Sequence, residues 1–225
     1  YFFSGSLNPP FTTRTSITNP PFPNIVANFD PNAPVRAQLQ TVNFDLQTPY
    51  MMQFNVNVQR ALPGNFDVMV GYVGSRGKNL IRLGDANLAP EEIVNGVKTY
   101  RPELGRRNPN FTGIWQRVTD AESFYDALQV SVVKQYSHNF RAQVSYTWSE
   151  SIDDASGFFA SAGDPNFPMD SNNTRLDRGR SAFDVRQRLT AAYVYDVPFG
   201  RNRWYGGWQT NGVWTFQSGR PFSAC

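Results

Sequence analysis

The sequence predicts an all-β fold, an antiparallel meander of about six long strands that forms part of a transmembrane β-barrel. Three observations support this prediction. Apolar and polar residues alternate over segments of about ten residues, proline is absent from those segments, and the connections between them are alternately short and long. With 225 residues the chain could also hold two small domains, so length alone does not decide the fold.

Composition agrees with a barrel wall and argues against several other classes. Aromatic residues make up 15% of the chain and charged residues 17%, while the mean hydropathy is −0.47. No run approaches the ~18 apolar residues of a membrane helix, whereas a barrel strand exposes only alternate residues to lipid. The net charge of +3 comes from scattered Lys and Arg, so we expect no nucleic-acid partner. A single cysteine, Cys225, cannot build a disulfide framework.

Alternation is strictest in two segments. From Met52 to Gln59 all four even positions are apolar and all four odd positions are polar, and from Phe140 to Ser149 the count is five of each kind. Successive side chains of a strand point to opposite faces, so each segment has an apolar and a polar face. Together with four weaker segments, they predict strands at about 50–60, 66–74, 124–136, 140–149, 185–197 and 207–218.

The predicted strands suit a membrane. They are about 9–13 residues long, against the ~9–11 that a tilted strand needs to cross a bilayer and the ~5–6 of ordinary strands. None of the 16 prolines falls within them, as expected where each strand N–H must pair with a neighbour. The links at 75–123 and 150–184 are long and rich in Gly, Pro, Asn and Asp, whereas the others are short. We therefore expect long external loops and short periplasmic turns.

Two charges break the alternation. Asp126 and Lys134 share a face with Leu128, Val130 and Val132. Each lies about four residues from the strand centre, which is ~9 Å along the membrane normal for a strand tilted by ~45°. A charge on the lipid face costs ~2–4 kcal/mol at the bilayer midplane but only ~0–1 kcal/mol near the interface. Both are therefore compatible with a lipid-facing position.

We assign residues 49–225 to a partial barrel and residues 1–48 mostly to an external loop, which could follow the end of a preceding strand. The first residues lack the basic and apolar segments of a secretory signal. The chain also stops just after a predicted strand. We therefore expect both ends to be cuts in a longer protein.

Four phrases carry a family resemblance: TPYMMQFNVNVQRALPGNFDVMVGYVGSRGKNL, YDALQVSVVKQYSHNFRAQVSYTWSESIDDAS, FDVRQRLTAAYVYDVPFG and GGWQTNGVWTFQSGRPF. They resemble the barrel of Oar-like TonB-dependent receptors, the acidobacterial type with a carboxypeptidase-regulatory-like N-terminal domain, over about residues 41–223. The resemblance implies an outer-membrane location, a barrel of about 22 strands and a plug domain in its lumen. It further implies coupling to a TonB complex, which would be contacted through parts of the parent protein that are missing here.

No motif predicts catalysis, a metal or a cofactor. His138 is the only histidine and falls in a predicted turn, and a catalytic triad or a multi-histidine zinc site needs more than this chain offers. We interpret Gly71–Gly77 as a strand-end turn rather than a phosphate loop. We interpret Asp153-Asp154 as a solvated loop pair, and the oxygen-rich stretch 164–173 as loop filler rather than a calcium site. We therefore expect no enzyme activity.

The long loops hold the remaining candidate binding residues, which are Arg106, Arg107, Trp115, Arg117, Arg175, Arg178 and Arg180. Guanidinium groups suit carboxylate and phosphate, so these residues could contact an anionic ligand. Outer-membrane lipid, through the phosphate of lipopolysaccharide, is an equally good partner. Ordinary loop solubility is the alternative.

Three functions remain open. The first is active transport of an unidentified substrate across the bacterial outer membrane through a TonB-dependent barrel. The second is a surface-adhesion or structural outer-membrane barrel, and the third is a soluble β-sandwich binding module. Detergent dependence separates the third from the others. A plug and a TonB-contacting segment in the complete gene would favour transport over adhesion.

Overall fold

The computed structural model describes residues 22–23, 37–157, 168–198 and 206–222. Short 3-10 helices occur at Pro102–Leu104 and Thr174–Leu176, and no helix in these ranges is long and apolar enough to cross a membrane. The strands are β1 (Ala37–Val42), β2 (Tyr50–Leu62), β3 (Phe66–Asp85), β4 (Glu91–Val94), β5 (Val97–Tyr100), β6 (Phe111–Ser137), β7 (Phe140–Asp153), β8 (Gly179–Arg180), β9 (Gln187–Asp196) and β10 (Gln209–Gln217).

Six long strands form the predicted sheet, in the order β10-β9-β7-β6-β3-β2. Strands joined by short links pair antiparallel: β2 with β3, β6 with β7, and β9 with β10. The short β8 pairs with the end of β7, and β4 and β5 form a separate hairpin. The all-β meander is confirmed. Along this path β2 and β10 are the two edge strands of the described sheet.

The register places apolar residues on one face of the sheet. One row of directly opposed residues crosses four strands, from Val132 through Val144 and Ala191 to Trp214. On β2 and β3, Val56 lies opposite Tyr72. Many side chains of this face are open to the surroundings, including Phe54, Val56, Val58, Val70, Tyr72, Leu128, Val144, Trp148, Trp214 and Phe216. Such an exposed apolar face needs a partner other than water, and a bilayer supplies one.

The opposite face is polar. The neighbouring row runs from Ser131 through Ser145 and Thr190 to Thr215, and the hydroxyl oxygens of Ser131 and Ser145 lie 3.4 Å apart. Because the side-chain period of a strand is two, the same register that places valine in lipid places these hydroxyls on the barrel interior.

The two charges that break the alternation in β6, Asp126 and Lys134, have local partners. The Asp126 carboxylate accepts a hydrogen bond from the Tyr72 hydroxyl and forms an ion pair with Arg76, at 2.8 Å. The Lys134 ammonium donates to the Gly64 carbonyl and lies 5.0 Å from the centre of the Phe66 ring. Both charges are thus compensated by local partners, Lys134 near the short-turn end of β6 and Asp126 within the strand, because β6 extends further than predicted.

Tight turns close the two short links that the structure describes in full. His138 and Asn139 both have positive φ, at 51° and 62°, between the paired residues Ser137 and Phe140. Positive φ at both central residues defines the type I′ turn that matches the twist of antiparallel strands. The other turn contains Gly64 and Asn65, with φ of 83° and 62°. His138 therefore lies in a turn, as predicted.

Two strands are much longer than predicted. β3 continues eleven residues beyond 74, to Asp85, and β6 begins at Phe111 rather than 124. The segment Gly71–Gly77 therefore lies inside β3, and the prediction of a strand-end turn there was wrong. The glycines serve cross-strand contacts instead: a Cβ on Gly74 would lie 2.3 Å from the ring of Phe54, which covers it. Aromatic rings commonly cover strand glycines in this way.

The segment 1–48, predicted to be mostly loop, contains β1, which pairs in parallel with the start of β6. Residues 1–21 and 24–36 lie outside the described residues, as does most of the 198–206 link.

The chain divides into two compact units. The wall unit comprises the described parts of Thr48–Leu80, Asp120–Gly157 and Thr174–Cys225. The loop unit comprises the described parts of Tyr1–Gln47, Ile81–Thr119 and Phe158–Asn173, with the β4–β5 hairpin. Strands β3 and β6 contribute residues to both units.

Candidate functional site

A buried polar hub organises the loop unit. The side chains of Asp85 and Asn87 are buried, and Asn87 is one of the two largest fully buried side chains among the described residues. The Asp85 carboxylate accepts a bond from Arg106 at 2.6 Å and from the backbone N–H of Asn87 at 2.8 Å. The Asn87 amide donates to the carbonyls of Asn108 and Phe111, at 3.0 Å each. The hub thus ties the end of β3 to the start of β6.

A second polar group, the Asp170 latch, holds the β4–β5 hairpin. Asp170 is 5% exposed and its carboxylate accepts bonds from Lys98 at 2.9 Å, from the Tyr100 hydroxyl, and from the Asn172 N–H at 2.8 Å. Burial acts to raise the pKa of Asp170, but these three donors outweigh burial and hold the pKa below its usual value. Lys98 also contacts Glu91 at 2.7 Å, and the two carboxylates raise the pKa of Lys98.

A cleft of about 650 Å³ opens within the loop unit. Its volume falls within the ~300–1,000 Å³ of small-molecule pockets, and its lining is mostly apolar with one cation. The cation is Arg106, which Asp85 holds in place. The lining residues are Leu88, Ala89, Tyr100, Pro102, Gly105, Arg106, Phe111 and Thr112.

A recess of about 360 Å³, lined by both polar and apolar groups, lies on the interior-facing register of the wall unit. Its lining residues are Tyr125, Gln129, Thr147, Ser149, Ser151, Phe183, Asp184, Val185 and Arg188. The segment 181–185 covers the end of β7, because Asp184 accepts the N–H of Ser151 at 2.9 Å and the hydroxyls of Ser151 and Ser181 lie 2.8 Å apart.

Asp153, next to this recess, was predicted to be solvated. It is instead buried at the end of β7 and accepts a bond from the Ser156 hydroxyl at 2.8 Å. The chain after β7 turns back over the carboxylate, and two adjacent acidic residues in the sequence gave no signal of that cover.

On the opposite, apolar register, three cations of the wall unit surround one aromatic ring. The guanidinium of Arg178 lies 4.5 Å from the centre of the Phe124 ring, the ammonium of Lys78 lies 5.4 Å from it, and the guanidinium of Arg76 lies 5.7 Å from it. All three distances fall within the ~6 Å range of cation–π attraction. Lys78 also forms an ion pair with Glu122 at 2.5 Å. We call these four residues, Arg76, Lys78, Phe124 and Arg178, the cation cluster.

The seven predicted loop residues fall into the two units. Four belong to the loop unit: Arg106 is in the polar hub, Arg107 is exposed, and Trp115 and Arg117 are half-buried on β6 beside β1. Three belong to the wall unit: Arg175 is exposed in a 3-10 turn, Arg178 is in the cation cluster, and Arg180 on β8 pairs with Ile152 on β7. Their contact with a ligand stays a prediction.

Sequence reasoning missed the hub, the latch and most of the cation cluster. Arg76 and Lys78 could have been found, because they continue the even, apolar register of β3 by two steps beyond residue 74. Asp170 gave no such signal. Its partners are 70 and 72 positions away along the chain and meet it only through the hairpin.

Comparison with known proteins agrees with this geometry. A family model described as an outer membrane beta barrel domain matches residues 1–225. Searches of curated proteins and of solved structures gave no significant match. The family match and the open apolar face exclude the soluble β-sandwich. The chain belongs to the outer-membrane β-barrel domain family, and it is a membrane barrel segment of the bacterial outer membrane.

Proposed function

We propose that the chain is part of the wall of an Oar-like TonB-dependent receptor that transports a substrate across the outer membrane. The observation that carries the proposal is the recess on the interior-facing register, where Ser, Thr, Gln, Asp and Arg side chains lie beside apolar surface. A barrel that only anchors surface loops has no need of a shaped recess on its inner wall. A transporter needs one, because its solute passes along that wall.

The loop unit supports the same proposal. Its cleft combines aromatic and apolar side chains with a fixed guanidinium, which suits capture of a ligand before entry. The hub and the latch fix the segments around it, so little conformational entropy is lost when a ligand binds. The proposed energy source is the TonB complex, reached through other parts of the protein.

Binding to TonB tests the proposal. The protein expressed from its complete gene should bind the purified periplasmic domain of TonB from the same bacterium. In planar bilayers it should be closed at first, and it should open to a large conductance after urea unfolds the plug. A permanently open channel that does not bind TonB would overturn the proposal.

Adhesion is the second candidate. The observation that favours it is that hydrogen bonds of the hub and the latch fix the described part of the loop unit, which offers an ordered surface there. A barrel without TonB binding whose deletion abolishes attachment of cells to a surface would have this function.

A further inference from the structure

We infer that the cation cluster is a binding site for the phosphate groups of an outer-leaflet glycolipid of the lipopolysaccharide type. This inference is independent of the proposed transport, because a barrel used for adhesion would present the same face to lipid.

The height of the cluster on the wall is the first argument. A strand tilted by ~45° rises ~2.4 Å per residue along the membrane normal. Phe66 is the first residue of β3, at its short-turn end, and Arg76 follows ten positions later. Arg76 is therefore ~24 Å from Phe66 along the membrane normal. The apolar band of a barrel is ~25 Å tall. Arg76 and Lys78 thus lie at the external edge of the band, where lipid headgroups begin.

The face on which the cluster lies is the second argument. The partners of Arg76 and Lys78 on β2 are Met52 and Tyr50, which are both exposed on the apolar register. Directly toward the membrane centre lie Phe54, Leu128 and Trp148, with exposed fractions of 45%, 37% and 54%. Cations above an open apolar surface match a lipid that carries its phosphate above its acyl chains. A free anion would make no use of the apolar part.

The charge of the cluster is the third argument. The ion pairs with Asp126 and Glu122 use only some of the N–H donors of Arg76 and Lys78. A guanidinium has five N–H donors and an ammonium three, so donors remain. These two cations keep side-chain exposures of 26% and 33%. Arg178 is exposed, and the nearby Asp154 carboxylate interacts with it electrostatically. The cluster therefore keeps unused N–H donors and an exposed guanidinium at the headgroup layer, where guanidinium groups bind phosphate well.

Aromatic contact strengthens the arrangement. Phe124 holds the three cations around its ring by cation–π contacts and so keeps them close together. Arg180 on β8 lies opposite Ile152, which in turn lies opposite Phe124. Its side chain is therefore on the same face and adds a fourth cation beside the cluster.

Native mass spectrometry tests this inference. The protein is purified from its complete gene in an uncharged detergent and titrated with diphosphoryl lipid A or with the same lipid after removal of its phosphates. The unaltered protein should bind the diphosphoryl form at least tenfold more tightly. Each cation removed should weaken that binding about fivefold. The variants to compare are Arg178→Gln, at the exposed residue, and the double variant Lys78→Gln/Arg178→Gln.

The matched control is Arg60→Gln. Arg60 lies on the same face of β2, opposite Val68, near the other edge of the apolar band. The Arg60→Gln substitution should leave the affinity for lipid A unchanged. Equal affinity for the two lipids would overturn the inference, as would equal loss in Arg60→Gln and Arg178→Gln. Full displacement of lipid A by inorganic phosphate would show a free-anion site and would also overturn it.

Discussion

At the scale of single residues, two neighbouring positions of one strand have opposite surroundings. Val144 lies in the apolar row between Val132 and Ala191, and Ser145 lies in the polar row between Ser131 and Thr190. This division was readable from the sequence, since every second residue from 140 to 149 is apolar. The partners of Asp126 and Lys134 were not readable, because Tyr72, Arg76 and Gly64 belong to other segments of the chain.

The two positions should respond oppositely to charge. Val144→Arg puts a guanidinium near the middle of the lipid face and should make folding into bilayers less favourable by ~2–4 kcal/mol. Ser145→Arg should have a small effect, because the interior is wet. Refolding of the full-length variants into vesicles over a range of urea concentrations measures both values. Equal losses would mean that the two faces do not differ in environment.

At the scale of elements, the sequence predicted the strands within the membrane band but not their continuation beyond it. Inside the band, lipid on one side and water on the other enforce alternation. Beyond the band, an apolar residue and a charged residue, Leu83 and Asp85, lie on the same face of β3 and are both buried. Within the loop unit, polar and apolar groups cover this one face together. Without a constant environment on each face, the two-residue pattern disappears and the strand cannot be recognised.

The Asp170 latch should make the β4–β5 hairpin sensitive to acid. The pKa of Asp170 is held below its usual 3.8. Its contribution to stability is therefore complete above pH 3.8 and is lost as the pH falls through the lower folded-state value. Hydrogen exchange of residues 91–100, corrected for the intrinsic rate, should accelerate in that range. Asp170→Asn should accelerate it on the order of tenfold at neutral pH, since bonds to a charged group contribute about 1.5–3 kcal/mol.

Asp45→Asn is the matched control for the latch. Asp45 is an exposed carboxylate of the same unit, and its neutralisation should not change exchange in the hairpin. If both variants accelerated exchange equally, net charge rather than the latch would explain the result.

The turns of the hairpins should differ in accessibility. A cysteine at Asn95, in the β4–β5 turn, should react with a membrane-impermeant thiol reagent on intact cells, whereas one at Asn65, in the β2–β3 turn, should not. The physical reason is that the long links are external and the short ones periplasmic. Reaction of the cysteine at position 65 alone would show that the barrel has the opposite orientation in the membrane.

At the scale of the whole molecule, six strands in the order β10-β9-β7-β6-β3-β2 leave two edges. Unpaired N–H and C=O groups at an edge each cost several kcal/mol in hydrocarbon, so an open sheet is not stable there. In water the open apolar face would promote aggregation. Closure must come from more strands than these six.

The 225-residue chain expressed alone should therefore form inclusion bodies or mixed oligomers, and it should give no discrete conductance after refolding in detergent. Size analysis and single-channel recording measure this. A monodisperse monomer with a defined conductance would show that these strands close by themselves.

The central claim is that one face of the described sheet contacts lipid and the other faces a wet interior. Spin labels placed one at a time at positions 141–148 of the full-length protein in vesicles, with Cys225 replaced by serine, test it most directly. We predict that collision with oxygen, which is enriched in lipid, is high at the even positions. Collision with a water-soluble relaxation agent should be high at the odd ones. A profile without a period of two, or with the opposite phase, would contradict the account.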